Sequence, residues 1–499
     1  MPLLSRLAAE VAGTLQGVDL DVTGIAVDSR QVAPGDLFVV QRGITADGAD
    51  FVPDAIKRGA VAACASAPIP DIPTIVVREP RAVAPLLSAA LYGYPARAMR
   101  LIGITGTLGK TSTALLIQAA LSASNIPVGV IGSLGVRIQG RVADTGMTTP
   151  DAPAIHRALR RMLASGVPTA VIEVTSHGIA LRRVAGLPLA LGVVTNLVPD
   201  EHLDFHRTAE HYLKTKARFL DMLTDGAPVV INQDDPRVVA MVEESLASRS
   251  RPVIGVTCGD DPRAAAAVSG LRTDAGGSAF ALKIRAPLIR LDGGILEPCG
   301  VPLVLPVFGV HQVANAALAA VGALVAGASP LGVTEAVAEM APLRRRMEIV
   351  RESGPVVLDD TVGNPRTLAA VFDSIGALPH RRLRIVFGIR GSRGPDINRR
   401  LARALGELVR ARSSTGPVTL VVTSSDDAAG SRDRVRTEER AAVLDALEAA
   451  KVEFAYEPAL AAAVRCALHG WAKDDLVLLL GAQGMDGAAE QARAVLRDG

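Results

Sequence analysis

Residues 101–113 read LIGITGTLGKTST, and this stretch indicates how the middle of the chain folds. Small and apolar residues from Leu101 to Thr105 are typical of a buried strand, and good helix formers follow Thr113. Between them, Gly106 to Thr111 match the short pattern G-x-x-G-K-T of a phosphate-binding loop, although Ile104 stands where the longer Walker pattern has glycine. The glycines let backbone N–H groups face phosphates at a helix N-terminus. We therefore predict a nucleotide site rather than a glycine turn with a chance lysine.

The residues of this loop have separate expected roles. The Lys110 ammonium is expected to meet the terminal phosphates, and the Thr111 hydroxyl is expected to bind Mg²⁺. Further nucleotide contacts are expected from the small residues around them, Gly106, Thr107, Gly109 and Ser112.

Length and composition limit the class of protein. A chain of 499 residues is too long for one core, so about three domains are expected. The net charge of +2 argues against a nucleic-acid or membrane partner. The four cysteines lie far apart without a C-x-x-C pair, as is typical of reduced thiols in a cytosolic protein. The first residues lack the apolar core of a signal peptide, and no apolar run reaches membrane-spanning length, so we expect a cytoplasmic protein.

The pattern of strands and helices divides the chain into three α/β domains. Residues 1–96 are predicted to form a small N-terminal domain, and residues 97–340 a doubly wound parallel sheet. The pattern restarts in residues 341–499, which predicts a third, Rossmann-like domain. Residues 262–300 are expected to be irregular or antiparallel, and residues 424–436 to be a surface loop. The central strands are predicted at 101–105, 127–132, 169–174, 190–195 and 228–232.

Polar residues end two of the predicted central strands. Glu173 ends one, and a carboxylate at a strand tip in the sheet of the phosphate loop suits Mg²⁺, with helix capping as the alternative. His202 and His206 follow another strand, four residues apart, so a helix would place them on one face. Zinc is disfavoured because no cysteine and no H-E-x-x-H pattern accompanies them. One histidine is instead a candidate ligand for a second metal ion.

Lys216 is expected to point inward from a helix over residues 208–220. Tyr212 and Phe219 share its helix face, whereas Lys214 points elsewhere. An inward lysine near phosphates has two chemical options. It can pair with phosphate as an ammonium, or it can lose its proton and react with CO₂ to give an anionic carbamate. Burial lowers the pKa of a lysine, which favours the carbamate.

These pieces, in this order, resemble the Mur ligase superfamily of ATP-dependent amide ligases over nearly the whole chain. Within it, the members that add the third residue to the UDP-N-acetylmuramoyl peptide in peptidoglycan synthesis are the most similar. The matching stretches are the first-domain pattern, which begins at Asp28–Arg30, the phosphate loop with Leu108 in place of an asparagine, and five later patterns. The five later patterns are Thr148–Asp151, Glu173–His177, Thr195–His206, Thr215–Leu220 and Arg345–Glu348, in which Arg345 stands for the glycine of G-R-M-E.

The resemblance implies a reaction in which ATP phosphorylates a carboxylate and an amine attacks the acyl phosphate. It implies that Thr111 and Glu173 hold one Mg²⁺, and that His202 and a carbamoylated Lys216 hold a second. Positive charge would then stabilise the transferred phosphoryl group. The residues expected to carry catalysis are Lys110, Glu173, His202, Lys216 and Arg346.

The resemblance also implies where the substrates bind. Asn315 would contact adenine, Asp360 the ribose, and Arg346 the phosphates, with the third domain closing onto the central one. A UDP-muramoyl-peptide-like donor and an amino acid acceptor are expected, and a monomer. The residues that match donor contacts are Ser29, Thr148, Thr149, Thr175 and Arg183, while Leu181 replaces an amide side chain.

The acceptor patterns of the third domain are not retained. The D-N-P-R pattern of diaminopimelate-adding members is missing from Thr423–Ala428, and G-K-G-H-E reads AQGMD at Ala482–Asp486. Only Asp426, Asp427 and Asp486 are charged there, so we expect a cationic or neutral amine in preference to diaminopimelate. Two alternatives stay open: an amide ligase acting on another carboxylate, such as a polyglutamate or a specialised metabolite, and a non-catalytic nucleotide-binding relative.

Overall fold

The computed structural model describes residues 2–42, 47–199, 201–246, 250–274, 276–342, 344–350, 354–376, 378–431 and 433–497. The chain forms two compact units. The first contains Met1–Ala267, Lys283–Cys299 and Ala317–Ala336, and the second contains Val268–Leu282, Gly300–Ala316 and Val337–Gly499. No described helix is both long enough and apolar enough to cross a membrane.

The first unit begins with a five-stranded sheet in the order β1-β5-β4-β3-β2, in which only β1 is antiparallel to its neighbour. Its core consists mainly of aliphatic residues such as Leu37 and Ile75. The elements are α1 Leu4–Glu10, β1 Thr14–Gln16, β2 Gly24–Ala26, β3 Asp36–Val39, α2 Val52–Lys57, β4 Ala62–Ala65, β5 Thr74–Val76 and α3 Pro80–Leu91.

The central sheet of the first unit has the strand order β13-β12-β11-β6-β10-β7-β8-β9, parallel as far as β7 and then antiparallel. The five predicted central strands are confirmed to within two residues at each end. The elements are β6 Arg100–Thr105, α4 Lys110–Ala123, β7 Val128–Gly132, β8 Gly135–Ile138, β9 Arg141–Ala143, α5 Ala152–Ala164, β10 Thr169–Glu173, α6 Ser176–Ala180, β11 Leu189–Val194, α7 Leu203–His206, α8 Ala209–Ala217, β12 Val229–Asn232, α9 Pro236–Leu246 and β13 Val253–Thr257.

The stretch 262–300 was expected to be irregular or antiparallel, and it contains two long strands and a short antiparallel pair, β16 with β17. The long helix that follows begins at Val310. The elements here are β14 Ala266–Asp274, β15 Gly277–Ile284, β16 Leu288–Ile289, β17 Ile295–Leu296, β18 Gly300–Leu305, α10 Val310–Ala326 and α11 Pro330–Ala338.

The second unit contains a six-stranded sheet in the order β19-β20-β24-β21-β22-β23, parallel except for β19. Three sheets with flanking helices confirm the predicted α/β fold, while the domain boundaries at 96 and 340 stay predictions. The elements are β19 Glu348–Ile349, β20 Val356–Asp360, α12 Pro365–Ile375, β21 Arg382–Gly388, α13 Pro395–Ser413, β22 Val418–Thr423, α14 Thr437–Ala449, β23 Ala455–Tyr456, α15 Leu460–Leu468, β24 Asp475–Leu480 and α16 Ala488–Arg497.

Two predictions about local structure need correction. The helix carrying Lys216 ends at Ala217 rather than at Leu220, and a short 3₁₀ turn follows. The stretch 424–436 has no helix or strand among its described residues. Ser424 and Ser425 are nevertheless buried, where the Ser424 hydroxyl bonds the Tyr456 hydroxyl and the Ser425 N–H donates to the Thr423 hydroxyl. Only the later part of this stretch is a surface loop.

Candidate functional site

The phosphate loop leaves the end of β6 and turns into α4. Its two glycines have φ of +141° at Gly106 and +81° at Gly109, a region that other residues rarely adopt. A Cβ on Gly106 would lie 2.0 Å from Oγ1 of Thr195, so no larger residue fits there. The loop is also fixed from the β11 side, because the Thr107 N–H donates to the Asn196 carbonyl at 2.9 Å. The backbone is therefore held in the shape that a phosphate-binding turn needs.

Lys110 folds back over this loop from the first turn of α4. Its Nζ donates to the carbonyls of Gly106 at 3.0 Å and Thr107 at 2.9 Å. The ammonium is thus placed above the turn rather than out in solvent, where a bound phosphate would meet it. Thr107 and Ser112 are buried beside it.

Glu173 ends β10 and lies beside the phosphate loop, 1% exposed. Its Oε2 accepts from Oγ1 of Thr111 at 2.9 Å, and its Oε1 accepts from the Ser133 N–H at 2.9 Å. The carboxylate caps no helix through these bonds, since Ser133 lies in the turn after β7. The structure thus brings together the two oxygen ligands that the sequence predicted for Mg²⁺.

Sequence reasoning missed Ser133 in this group. Its hydroxyl lies 3.2 Å from that of Thr111, 3.3 Å from Oε2 of Glu173 and 2.9 Å from the hydroxyl of Thr148. The signal was available, because Ser133 is a polar residue directly after β7, the neighbour of β10 in the sheet.

Lys216 points inward, as predicted, and is 2% exposed. Its Nζ donates to the Gly106 carbonyl at 2.7 Å and to Oγ1 of Thr105 at 3.2 Å. Burial, and secondarily the charge of Lys110, lower the pKa of Lys216 well below its usual value. Lys214 instead forms an exposed ion pair with Glu210 at 2.6 Å.

Packing of Phe219 explains the direction of Lys216. The Phe219 ring lies against two glycines of the sheet, where a Cβ on Gly103 or Gly192 would come within 2.9 Å or 3.1 Å of it. Tyr212, one turn before Lys216, is also fully buried, and its hydroxyl lies 2.6 Å from Oγ1 of Thr107. The helix face that carries Lys216 is therefore fixed on both sides.

Histidine and aromatic rings form a cluster near the end of β11. The prediction that His202 and His206 share a helix face is wrong, because α7 begins at Leu203 and His202 precedes it with φ of +57°. Both rings nevertheless face His177, with centroid distances of 4.9 Å and 5.7 Å. Asp200, which belongs to the same matched stretch, lies outside the described residues.

No group of three or more His, Cys, Asp or Glu side chains in the described part of the chain is arranged to hold a metal ion. Mg²⁺ does not require one, since it commonly takes one or two protein oxygens together with water and phosphate. The Thr111 hydroxyl and the Glu173 carboxylate fit that requirement.

The predicted donor residues of the central sheet form one network next to Glu173. Oγ1 of Thr149 donates to the Glu173 carbonyl at 2.8 Å and lies 2.9 Å from Oγ1 of Thr175. The Arg183 guanidinium donates to the Thr149 carbonyl at 2.9 Å, and burial lowers its pKa. Ser29 is buried in the 3₁₀ turn Ser29–Gln31 that follows β2, and it has no direct bond to this network among the described contacts.

The remaining predicted residues, Asn315, Arg346 and Asp360, belong to the second unit. Asn315 is buried in α10, and Asp360 ends β20. Burial raises the pKa of Asp360 to about 7, against the opposing charge of Arg346. Arg346 itself is exposed. Burial, and secondarily the charge of Arg346, lower the pKa of His311 to about 4. Asp360 and Arg346 are therefore electrostatic neighbours, as a ribose and phosphate site would need.

Two of the three acids expected to meet the acceptor have partners within the second unit. Asp427 accepts from the N–H groups of Leu460 at 2.6 Å and Ala461 at 3.3 Å, so it caps α15. Asp486 accepts from Arg345, a buried arginine that sequence reasoning missed. The expectation of a cationic acceptor loses these two carboxylates as support, and a neutral amino acid side chain remains compatible.

Family models match most of the chain. Residues 21–90 match the Mur ligase family catalytic domain, residues 104–324 the Mur ligase middle domain, and residues 345–483 the Mur ligase glutamate ligase domain. The chain is 33% identical to the UDP-N-acetylmuramyl-tripeptide synthetase of Roseiflexus sp. (strain RS-1), covering 94% of this chain and 91% of that protein. The chain belongs to the Mur ligase family. It is an ATP-dependent ligase of the class that forms carbon–nitrogen bonds, in a family that functions in peptidoglycan synthesis, and its cofactors are ATP and Mg²⁺.

Two further similarities bear on which reaction step of the Mur ligase family this chain catalyses. The chain is 32% identical to the UDP-N-acetylmuramoyl-L-alanyl-D-glutamate–2,6-diaminopimelate ligase of Chlorobaculum tepidum, over 89% of this chain and 84% of that protein. The crystal structure of MurF from Acinetobacter baumannii superposes with a TM-score of 0.68 and 16% identity, covering 100% of both chains. The second similarity shows the fold alone, so the fold does not select the step that this Mur ligase catalyses.

Proposed function

We propose that this Mur ligase adds the third residue to UDP-N-acetylmuramoyl-dipeptide, in the cytoplasm and as a monomer. The observation that carries the proposal is the network joining Thr149, Thr175 and Arg183 to the backbone of Glu173. It places the residues that match donor contacts directly beside the residues that match metal contacts. A donor carboxylate held there would lie close to the terminal phosphate of a nucleotide in the loop.

The chemistry follows in two balanced steps. A carboxylate oxygen of the donor attacks the γ-phosphorus of ATP, ADP leaves, and the carboxylate becomes an acyl phosphate. The neutral amine of the amino acid then attacks the acyl carbon and loses a proton, and inorganic phosphate leaves with the former carboxylate oxygen. Mg²⁺, when bound, neutralises phosphate charge and polarises the phosphoryl group.

The residues of the first unit have distinct proposed roles. Lys110 stabilises negative charge on the transferred phosphoryl group. Thr111 and Glu173 would hold one Mg²⁺ through hard oxygen ligands. His202 and Lys216 would hold the second, once the neutral Lys216 amine has added to CO₂ and released a proton. The lowered pKa of Lys216 supports this modification, because only the neutral amine reacts.

The residues of the second unit bind the rest of the nucleotide in this proposal. Asn315 contacts adenine, Asp360 accepts from the ribose hydroxyls, and Arg346 pairs with the phosphates. Residues 1–96 then act as the UDP-binding domain, residues 97–340 as the ATP-binding domain, and residues 341–499 as the domain that presents the amino acid.

The proposal is tested by measuring ADP release with ATP, Mg²⁺, UDP-N-acetylmuramoyl-L-alanyl-D-glutamate and a mixture of amino acids. ADP release is expected only when donor and amino acid are both present, with a product heavier by one amino acid residue. Release that requires a different carboxylate would contradict the donor assignment. Release that ignores every acceptor would contradict ligase activity.

A further inference from the structure

Two adjacent arginines before β19 have opposite surroundings. The Arg346 side chain is exposed, whereas Arg345 is 6% exposed and its guanidinium lies inside the second unit. The backbone here is unusual, with φ of +59° at Arg345 and +53° at Met347. Residues other than glycine adopt this region at a cost of order 1 kcal/mol or more, so surrounding contacts must hold the segment in place.

The Arg345 guanidinium holds the loop that follows β24. We call residues 481–487 the β24 loop. The Arg345 Nη2 donates to the Gly481 carbonyl at 2.6 Å, and Nη1 donates to the Ala482 carbonyl at 2.9 Å. Nη1 also donates to Oδ1 of Asp486 at 2.5 Å. Three contacts from one side chain therefore fix both ends of this loop.

The same guanidinium reaches the strand that ends at the proposed ribose site. Its Nε lies 3.3 Å from Oδ1 of Asp359, which is fully buried. Asp359 precedes Asp360, so the Arg345–Asp359 ion pair lies next to the Arg346–Asp360 pair, whose interaction is electrostatic. Arg345 pairs inward with Asp359, and Arg346 acts electrostatically on Asp360 from the exposed side.

Backbone contacts fix the direction of Arg346. The Thr361 N–H donates to the Arg345 carbonyl at 3.0 Å, and the Arg345 N–H donates to Oε2 of Glu348 at 2.9 Å. Met347 on the other side is 1% exposed in the hydrophobic core. Because both neighbours of Arg346 are anchored, a shift of either anchor also moves Arg346.

We propose that Arg345 is a positioning residue that couples the β24 loop to the Arg346–Asp360 pair. The inference rests on the proposed function, in which this loop lies on the acceptor side and the pair on the nucleotide side. The link is physical, since one guanidinium bonds both the loop and the strand. Acceptor binding at the loop and the placement of Arg346 for phosphoryl transfer then depend on the same contact.

Two variants separate coupling from a structural role. Arg345→Gly removes the guanidinium while keeping the left-handed φ without strain. Asp486→Asn changes an exposed side chain, 74% exposed, and weakens only the charged contact. Arg344→Ala is the matched control, because this exposed arginine of the same segment pairs with Glu490 and donates to the Asp486 carbonyl at 2.9 Å without touching the contacts of Arg345.

The kinetic test uses ATP, the muramoyl-dipeptide donor and a panel of L-lysine, meso-diaminopimelate, L-alanine, L-serine and L-glutamate, of which the fastest acceptor is titrated. Asp486→Asn and Arg345→Gly should each raise the acceptor KM and lower kcat by about tenfold, with the KM for ATP within about twofold of wild type. The double variant should add little to Arg345→Gly, because both remove one shared contact. Arg344→Ala should be within about twofold in every constant.

An amide exchange measurement reads the coupling without activity. Asp486→Asn should speed hydrogen exchange at the Thr361 amide several-fold, since that N–H donates to Arg345, while Arg344→Ala leaves it unchanged. Additive kinetic effects, or Asp486→Asn with unchanged Thr361 exchange, would overturn the inference. Absence of acceptor-dependent ADP release by the wild type would instead contradict the proposed function, and the exchange result would still decide the coupling.

Discussion

The carboxyl edges of the two large parallel sheets use charge in different ways. In the first unit, Lys216 donates to two neutral oxygens and Glu173 accepts from neutral N–H and hydroxyl groups. In the second unit, Arg345 bonds Asp359 and Asp486, and Asp427 caps a helix. At the first edge the charged groups therefore bond only neutral groups, while at the second edge charged groups bond one another and the loops. The comparison teaches that charge at the first edge is left without a charged partner among these bonds, as the proposed reaction centre requires, whereas much of the charge at the second edge holds the backbone in place.

The largest expected effect is at Lys216. Lys216→Ala should abolish activity, by about 10³-fold or more, because the proposed carbamate ligand of a second metal ion would be lost. Acetate or formate added at millimolar concentration should partly restore ADP release by occupying the vacated position. Lys214→Ala, the matched control two residues away, should be within about twofold of wild type. An essential Lys214 with a dispensable Lys216 would contradict the difference in their surroundings.

Lys110→Ala should lower kcat by about 10²-fold, because the lost ammonium is needed most when charge develops on the transferred phosphoryl group. Steady-state ADP release with saturating substrates measures this effect. Near-normal turnover of the variant would remove the phosphate loop from the mechanism.

Glu173→Gln should raise the Mg²⁺ concentration needed for half-maximal rate by about tenfold, since an amide oxygen is a weaker ligand than a carboxylate. Ser133→Ala, which removes one neutral hydroxyl from the same group, should shift the curve much less. If the Mg²⁺ titration of Glu173→Gln overlays that of wild type, Glu173 is only structural.

Acid should affect one buried group of each unit in opposite directions. Burial lowers the pKa of His156 in the first unit to about 4, so the unfolded state binds more protons at this residue below about pH 6.5 and its contribution to stability falls with the pH. Burial raises the pKa of Asp360 in the second unit to about 7, so its contribution to stability rises as the pH falls from 7 towards 4.

Between pH 7.5 and 5.5 the local opening constant should change by about tenfold through His156 and by about twenty-five-fold through Asp360. Hydrogen exchange of the intact protein, corrected for the intrinsic pH dependence, measures both units at once. Relative to wild type, His156→Leu should lessen the loss of stability of the first unit in acid, and Asp360→Asn should lessen the gain of the second. A variant that keeps the pH dependence of wild type would be incompatible with the pKa shift of its group.

The sequence predicted the residues around the phosphate loop better than those around the β24 loop, for physical reasons. Strand tips followed by glycine, threonine or glutamate are local signals, and the structure brings Thr111 and Glu173 within 2.9 Å of each other. The helix face of Lys216 was predictable from spacing alone. The φ of +57° at His202 was not, since it depends on how α7 packs in three dimensions.

The role of Arg345 was hidden for the same reason. A run of three arginines from Arg344 to Arg346 gives no sign of which side chain is buried. Burial of Arg345 depends on Asp359 and on the β24 loop, which lies more than a hundred residues later in the chain. Contacts of this kind cannot be read from local periodicity.

The central claim is that the chain activates a carboxylate as an acyl phosphate before an amine attacks. The most direct test uses muramoyl-dipeptide donor labelled with ¹⁸O in both free carboxylates of its glutamate, together with unlabelled ATP and the best amino acid acceptor. Mass spectrometry of the inorganic phosphate should find one ¹⁸O atom per phosphate from fully labelled donor, because the leaving phosphate retains the former carboxylate oxygen. Unlabelled phosphate formed along with the amide product would contradict the acyl phosphate and with it this account of the site.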